Sequence, residues 1–166
     1  LTSVILDRDR HKELIASVRK TGARILLIPD GDVAGALMTS WPESNVDVLL
    51  GVGGTPEGVL AACALRAMGG NLQGKLHPRS PEEARRGREM GYDLDKVLSL
   101  NDLVSSDDVF FAATGLTDGV FLRGVSYFKD GARTESLVVR GLTGTVRHIS
   151  AIHRLTKLDL ISAIQY

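Results

Sequence analysis

Val46-Asp47-Val48-Leu49-Leu50-Gly51-Val52-Gly53-Gly54-Thr55-Pro56-Glu57-Gly58 is the stretch on which the reading of this chain turns. An apolar, β-branched run enters a glycine cluster and leaves it into the alanine-rich residues 59–68, the pattern of a strand, a tight loop and a buried helix. Thr55 is a candidate N-cap, and Pro56 suits the first helical position, where its missing N–H is no loss. Glu57 falls in the first turn, where the positive helix end favours a carboxylate and free N–H groups favour an anion. Glycines let a ligand approach the backbone closely. The combination can hold a phosphate and a metal side by side.

Two nucleotide-binding readings of this loop fail. The dinucleotide fingerprint, counted from Gly51 and Gly53, needs glycine where Pro56 stands. A P-loop needs Gly-Lys followed by Ser or Thr, whereas Val59 follows Gly58. The alternative, an ordinary strand-to-helix turn with a well-capped helix, accounts well for Thr55 and Pro56 and poorly for three glycines together with Glu57.

At 166 residues the chain is expected to form a single α/β domain over residues 1–166, large enough to bury a sizeable core. Twenty basic residues balance twenty acidic ones, so no general attraction to nucleic acid or an anionic membrane is expected. Any anion must then be met by a local site. The lone cysteine, Cys63, cannot form an internal disulfide, which suits a reducing, cytoplasmic setting. Its small apolar neighbours would raise its pKa and argue against a nucleophile. No apolar stretch has the length of a membrane span, and no signal peptide is visible. Opening on Leu1 inside a strand signal, without methionine, reads as a piece of a longer protein.

Strand signals at residues 4–6, 24–28, 46–50, 71–76 and 109–113 alternate with helix signals, as in an α/β fold with crossover helices. Residues 11–20 place Leu14, Ile15 and Val18 on one helical face, closed by Gly22. Residues 33–39 follow Asp32 as N-cap. Ser80-Pro81-Glu82-Glu83 opens a charged helix with Glu82 and Arg86 at the i,i+4 spacing, closed by Gly91. From Val120 the texture turns β-rich, with strands expected at 121–127, 134–139 and 144–149.

Three polar clusters follow successive strands, and in open α/β sheets ligands sit outside the carboxyl ends of strands. Asp7-Arg8-Asp9-Arg10-His11 offers two guanidiniums able to meet phosphate oxygens bidentately, or else a solvated charge run. His11 reads as a surface residue. Pro29-Asp30-Gly31-Asp32 offers two carboxylates for sugar hydroxyls or a hard cation, or else a turn and a helix cap. A calcium loop is excluded by the missing late Glu. With the glycine loop and Glu57, the three clusters on one rim suit an anionic polyol such as a sugar phosphate.

Asp30-Gly31-Asp32-Val33-Ala34, followed by Gly51 to Val59, resembles the class II fructose-1,6-bisphosphatases of the GlpX type, which in cyanobacteria also hydrolyse sedoheptulose 1,7-bisphosphate. The similarity continues through residues 7–11, 113–119 and 136–140 and fades after His153. It implies a layered, inositol-phosphatase-like α/β fold, dependence on Mn²⁺ or Mg²⁺, and a cytoplasmic homo-oligomer (dimer or tetramer) acting on fructose 1,6-bisphosphate. Carried over by motif, Glu57 would be the metal ligand and catalytic residue. Arg8, Asp9, Arg10, Asp30, Gly31, Asp32 and Gly54 would contact the substrate. Asp9 stands where the family usually has proline. Most of the family's metal-binding carboxylates lie in an N-terminal half outside this sequence, which would be a necessary partner. The alternative is a non-catalytic sugar-phosphate-binding or regulatory module.

Overall fold

Four consecutive buried residues, Ser3, Val4, Ile5 and Leu6, make β1 (Thr2–Leu6) the centre of a three-stranded parallel sheet. Its neighbours are β2 (Arg24–Ile28), in register from Thr2↔Arg24 to Leu6↔Ile28, and β3 (Val48–Leu49) on the other side. A strand covered on both faces needs an apolar run rather than alternation, and this one has it. The computed structural model describes residues 1–162, which fall into two compact units, residues 1–107 and residues from 108 onward.

In the first unit α1 (Lys12–Lys20) covers one face of the sheet. Its Ile15 and Val18 form a core with Ile5, flanked by Leu14, Ala23, Ile25 and Leu50. Burying each such side chain contributes about 1.5–3 kcal/mol. On the opposite face lies α2 (Asp32–Met38), so close that a Cβ on Gly35 would sit 3.2 Å from the Cδ1 atoms of both Ile28 and Leu49. Helix α3 (Thr55–Met68) packs small residues against α2, with Ala36, Ala61 and Leu65 forming the contact. Gly69, left-handed at φ 76°, closes α3.

The strand order β2-β1-β3 means the chain crosses β1 between its second and third strands, and the helices change face there. Loops leaving β1 and β3 therefore diverge at the sheet's carboxyl edge, where ligands of open α/β folds bind.

Residues 71–76 do not continue the parallel sheet. Only β4 (Gln73–Lys75) is extended, and it pairs antiparallel with β5 (Val97–Ser99), a strand too short to leave a sequence signal. Between them, α4 (Pro81–Glu89) follows the sequence reading closely: the Ser80 hydroxyl accepts the Glu83 N–H at 3.1 Å, and Arg86 pairs with Glu82. Helix α5 (Leu100–Leu103) starts in a reciprocal capping box of Ser99 and Asp102.

The second unit is an antiparallel sheet built on β8 (Gly131–Arg140). Strand β9 (Thr145–Arg154) runs along one side, while β6 (Phe110–Thr114) and β7 (Ser126–Phe128) share the other. The strand expected at 121–127 is mostly loop. Residues 115–125 fold on themselves through Gly119 N–H to Leu122 O and Val125 N–H to Leu116 O. Gly124 makes this possible, since a Cβ there would lie 2.7 Å from the Thr117 carbonyl carbon. A short helix, α6 (Leu155–Leu158), follows β9. Together the units are a mixed α/β protein, and no helix among the described residues is long and apolar enough to cross a membrane.

Candidate active site

The three polar clusters of the first unit leave parallel strands at one edge of one sheet, and direct contacts join them. After β1 a 3-10 turn, Asp9–His11, carries the chain into α1. Arg8 reaches the second loop, its Nη2 lying 3.6 Å from Asp30 Oδ1. Arg10 reaches the third: its Nε donates to the Val52 carbonyl at 2.9 Å. That bond uses one of five guanidinium N–H donors and leaves four for an anion.

The glycine loop, residues 51–54, passes between two carboxylates. A Cβ on Gly53 would lie 2.7 Å from Asp32 Oδ2, and one on Gly54 would collide with Glu57 Oε2. Each glycine thus leaves room for a carboxylate oxygen to lie directly against the backbone. Both neighbours are helix starts, where backbone N–H groups lack intrahelical partners and stabilise negative charge. Gly31, at φ 85°, turns the chain into α2 through a conformation that glycine alone takes without strain.

Two expected caps are corrected here. Neither Asp32 nor Thr55 is the N-cap of its helix; Gly31 and Gly54 hold those positions, and neither helix has a side-chain cap. Asp32 Oδ1 accepts the Val33 N–H at 2.9 Å instead. Freed from capping α2, Asp32 Oδ2 is turned toward Gly53. Of the sequence-derived site residues, Arg8, Arg10, Asp30, Asp32, Gly54 and Glu57 belong to this contact network, with Gly31 as the turn between the two acids. Asp9 is bound elsewhere, its Oδ1 2.7 Å from Lys12 Nζ in a solvated pair along the helix start.

The larger correction concerns His11, which is not a surface residue. It is 1% exposed, and both ring nitrogens are bonded. The Val52 N–H donates to Nε2 at 2.9 Å, and Nδ1 lies 2.9 Å from the Leu6 carbonyl. An N–H can only donate and a carbonyl can only accept, so the proton resides on Nδ1 and the ring is neutral. The ring lies beneath Gly51, where a Cβ would come within 3.2 Å of its Cε1. The available sequence signal was that glycine, placed after a strand whose parallel neighbour is followed, five residues beyond its end, by a histidine.

Glu57 supplies a hard oxygen donor on an exposed helix start, as Mg²⁺ or Mn²⁺ requires. It fits such an ion as one ligand of a larger set. Among the described residues no three His, Cys, Asp or Glu side chains gather closely enough to hold a metal ion.

The family model describing bacterial, glpX-encoded fructose-1,6-bisphosphatase matches residues 1–153. The chain is 42% identical over 172 residues to fructose-1,6-bisphosphatase 1 class 2 of Escherichia coli strain K12. The same identity holds to fructose-1,6-bisphosphatase class 2 of Shigella flexneri. Each match covers 96% of this chain and 51% of the relative, so the chain spans about half the length of the curated relatives it matches.

Proposed function

Since the chain belongs to the family of glpX-encoded bacterial fructose-1,6-bisphosphatases, we propose that it forms the sugar-phosphate end of a metal-dependent bisphosphatase. The reaction is hydrolysis of the 1-phosphate of fructose 1,6-bisphosphate to fructose 6-phosphate. The observation that carries this reading is the joining of the three strand-end loops. Arg10 is tied to the glycine loop, Arg8 to Asp30, and the Asp32 and Glu57 carboxylates lie against adjacent glycines of that loop.

In this reading the guanidiniums of Arg8 and Arg10 take phosphate charge, and their anchoring sets the distance between phosphate and sugar. Asp30 and Asp32 accept hydrogen bonds from sugar hydroxyls and contribute positioning rather than proton transfer. Asp9 lies at the edge of the same loop as a further substrate contact, and Gly54 admits the ligand to the backbone at the start of α3. Glu57 is the one metal ligand from this chain. A divalent cation bound there would neutralise phosphoryl oxygens and favour a deprotonated water. The remaining ligands come from the rest of the enzyme, with which this chain shares a layered sugar-phosphatase fold in a cytoplasmic homo-oligomer.

Phosphate release from fructose 1,6-bisphosphate and from sedoheptulose 1,7-bisphosphate tests this reading. It is to be measured with Mn²⁺ or Mg²⁺, for the chain alone and joined to the complementary half of a family member. Turnover only in the joined form supports the proposal. Tight binding without phosphate release in either form would replace it with a non-catalytic sugar-phosphate-binding module.

A further inference from the structure

We propose that His11, held as the neutral Nδ1–H tautomer, is the positioning residue that locks the arginine loop and the glycine loop into one binding surface. The inference rests on the reading of these loops as the phosphate end of the site. It assigns to His11 no contact with substrate.

The glycine loop has little of its own to hold it. Residues 51, 53 and 54 lack side chains, β3 spans only two residues, and Val52 is 41% exposed. Its fixed position therefore depends on partners outside the loop. Val52 finds two, from adjacent residues of the arginine loop: His11 Nε2 for its N–H and Arg10 Nε for its carbonyl, each at 2.9 Å. Arg10 is exposed and can swing away, whereas His11 is almost wholly buried and its other nitrogen is bonded to Leu6 O, at the end of the central strand. The imidazole thus bridges β1 to the loop after β3, and through Val52 it fixes the bond that orients Arg10.

This role is more specific than filling space. The Val52 N–H is aimed at the buried ring nitrogen, and without an acceptor there this hydrogen bond is lost, so loop register depends on an acceptor at the Nε2 position. Glutamine places Oε1 two bonds beyond Cγ, as histidine does Nε2, and can accept from Val52. Asparagine places its amide at the Nδ1 position, and can serve Leu6 but not Val52. Phenylalanine keeps the volume and serves neither.

Two measurements on the 166-residue chain decide the matter. In ¹⁵N NMR of the wild-type protein at neutral pH, Nδ1 is expected to resonate as a protonated nitrogen and Nε2 as an acceptor, with a slowly exchanging Val52 amide. The opposite tautomer, an imidazolium, or a freely exchanging Val52 amide would overturn the clamp. Calorimetric titration with fructose 1,6-bisphosphate should then show about 10- to 100-fold weaker binding for His11→Asn and His11→Phe, the loss of one or two hydrogen bonds. His11→Gln should stay within about threefold of wild type, since it restores the Val52 acceptor. Equal binding by all variants, or His11→Gln failing alongside His11→Asn, overturns the positioning role. Should His11→Phe fail to fold, the comparison of the two amides still decides. Absence of binding by the wild type counts against the functional reading, while the ring tautomer and the Val52 amide judge the clamp independently.

Discussion

The Nε of Arg10 donates to the carbonyl oxygen of Val52 at 2.9 Å, across 42 positions of sequence. One exposed arginine is thereby aimed by a backbone atom of the loop whose ligand it is proposed to share. Arginine can make this bond and still present a two-pronged face to phosphate; lysine, with one ammonium, must choose. Arg10→Lys keeps the charge and is expected to weaken fructose 1,6-bisphosphate binding about tenfold, the scale of one charge-assisted hydrogen bond. Calorimetry checks this, and an unchanged Kd would mean that charge alone is what matters at this position.

Glu57→Ala removes an exposed carboxylate from the first turn of α3 and no core contact. The fold should survive with at most about 1 kcal/mol lost from the favourable helix-end charge. In the joined enzyme, metal-dependent phosphate release should nevertheless fall by at least about two orders of magnitude, as expected when a charge-stabilising group is lost. Near-normal turnover at saturating Mn²⁺ would remove Glu57 from the metal site.

Much of this arrangement could be read from sequence because it is local. The Arg24–Ile28 strand, the Ser80-capped helix with its Glu82–Arg86 pair, and the three strand-end clusters all declare themselves within a few residues. What escaped notice depends on partners far along the chain. Strand β5 exists because Val97–Ser99 meets Gln73–Lys75. The run at 121–127 has strand composition but closes into a loop because glycines allow backbone against backbone. His11 followed four charged residues and read as surface, yet the 3-10 turn sends it inward, where it donates to the Leu6 carbonyl and accepts from the Val52 N–H, a partner that no local window contains. Asp32 and Thr55 look like caps by residue type, but the glycine before each takes the capping position.

Arg8 and Asp30 form an ion pair at 3.6 Å in which the Asp30 side chain is 88% exposed. Such a pair is worth about 0–1 kcal/mol, so Asp30→Ala should scarcely change the thermal midpoint. If the carboxylate holds a sugar hydroxyl, KM should rise about tenfold with a smaller fall in kcat, the cost of one hydrogen bond to a charged group. Unchanged KM and kcat would make the acid a structural turn residue.

Asp102 gives a pH prediction with a defined sign. The Lys96 ammonium at 2.5 Å, with the Ser99 N–H at 2.8 Å and its hydroxyl, holds the Asp102 carboxyl well below the usual carboxylate range. A carboxyl depressed by folding stabilises the native state above its unfolded value, and that contribution fades as the pH falls toward the folded value. The Asp102 carboxyl carbon signal should therefore stay flat through the range near 3.8 where unperturbed aspartates titrate, and α5 should lose its capping box only in stronger acid. A midpoint near 3.8 for this signal would show that the Lys96 and Ser99 contacts do not persist in solution.

Gly54 separates backbone tolerance from ligand geometry. Its φ of −73° and ψ of 151° are open to any L-residue, so Gly54→Ala meets no backbone strain and reduces the freedom of the unfolded chain. The added methyl instead meets Glu57 Oε2, the far end of a flexible side chain, which must swing aside. Stability and metal binding should respond differently to this one substitution. The thermal midpoint should change little, because the entropic gain of up to about 1 kcal/mol is offset by alanine's poorer fit at the N-cap, while Mn²⁺ affinity in the joined enzyme falls as the carboxylate leaves its place. A melting curve and a manganese titration on the same preparation separate them. If metal affinity were retained with the methyl in place, the position of Glu57 over Gly54 would not be the one that holds the ion.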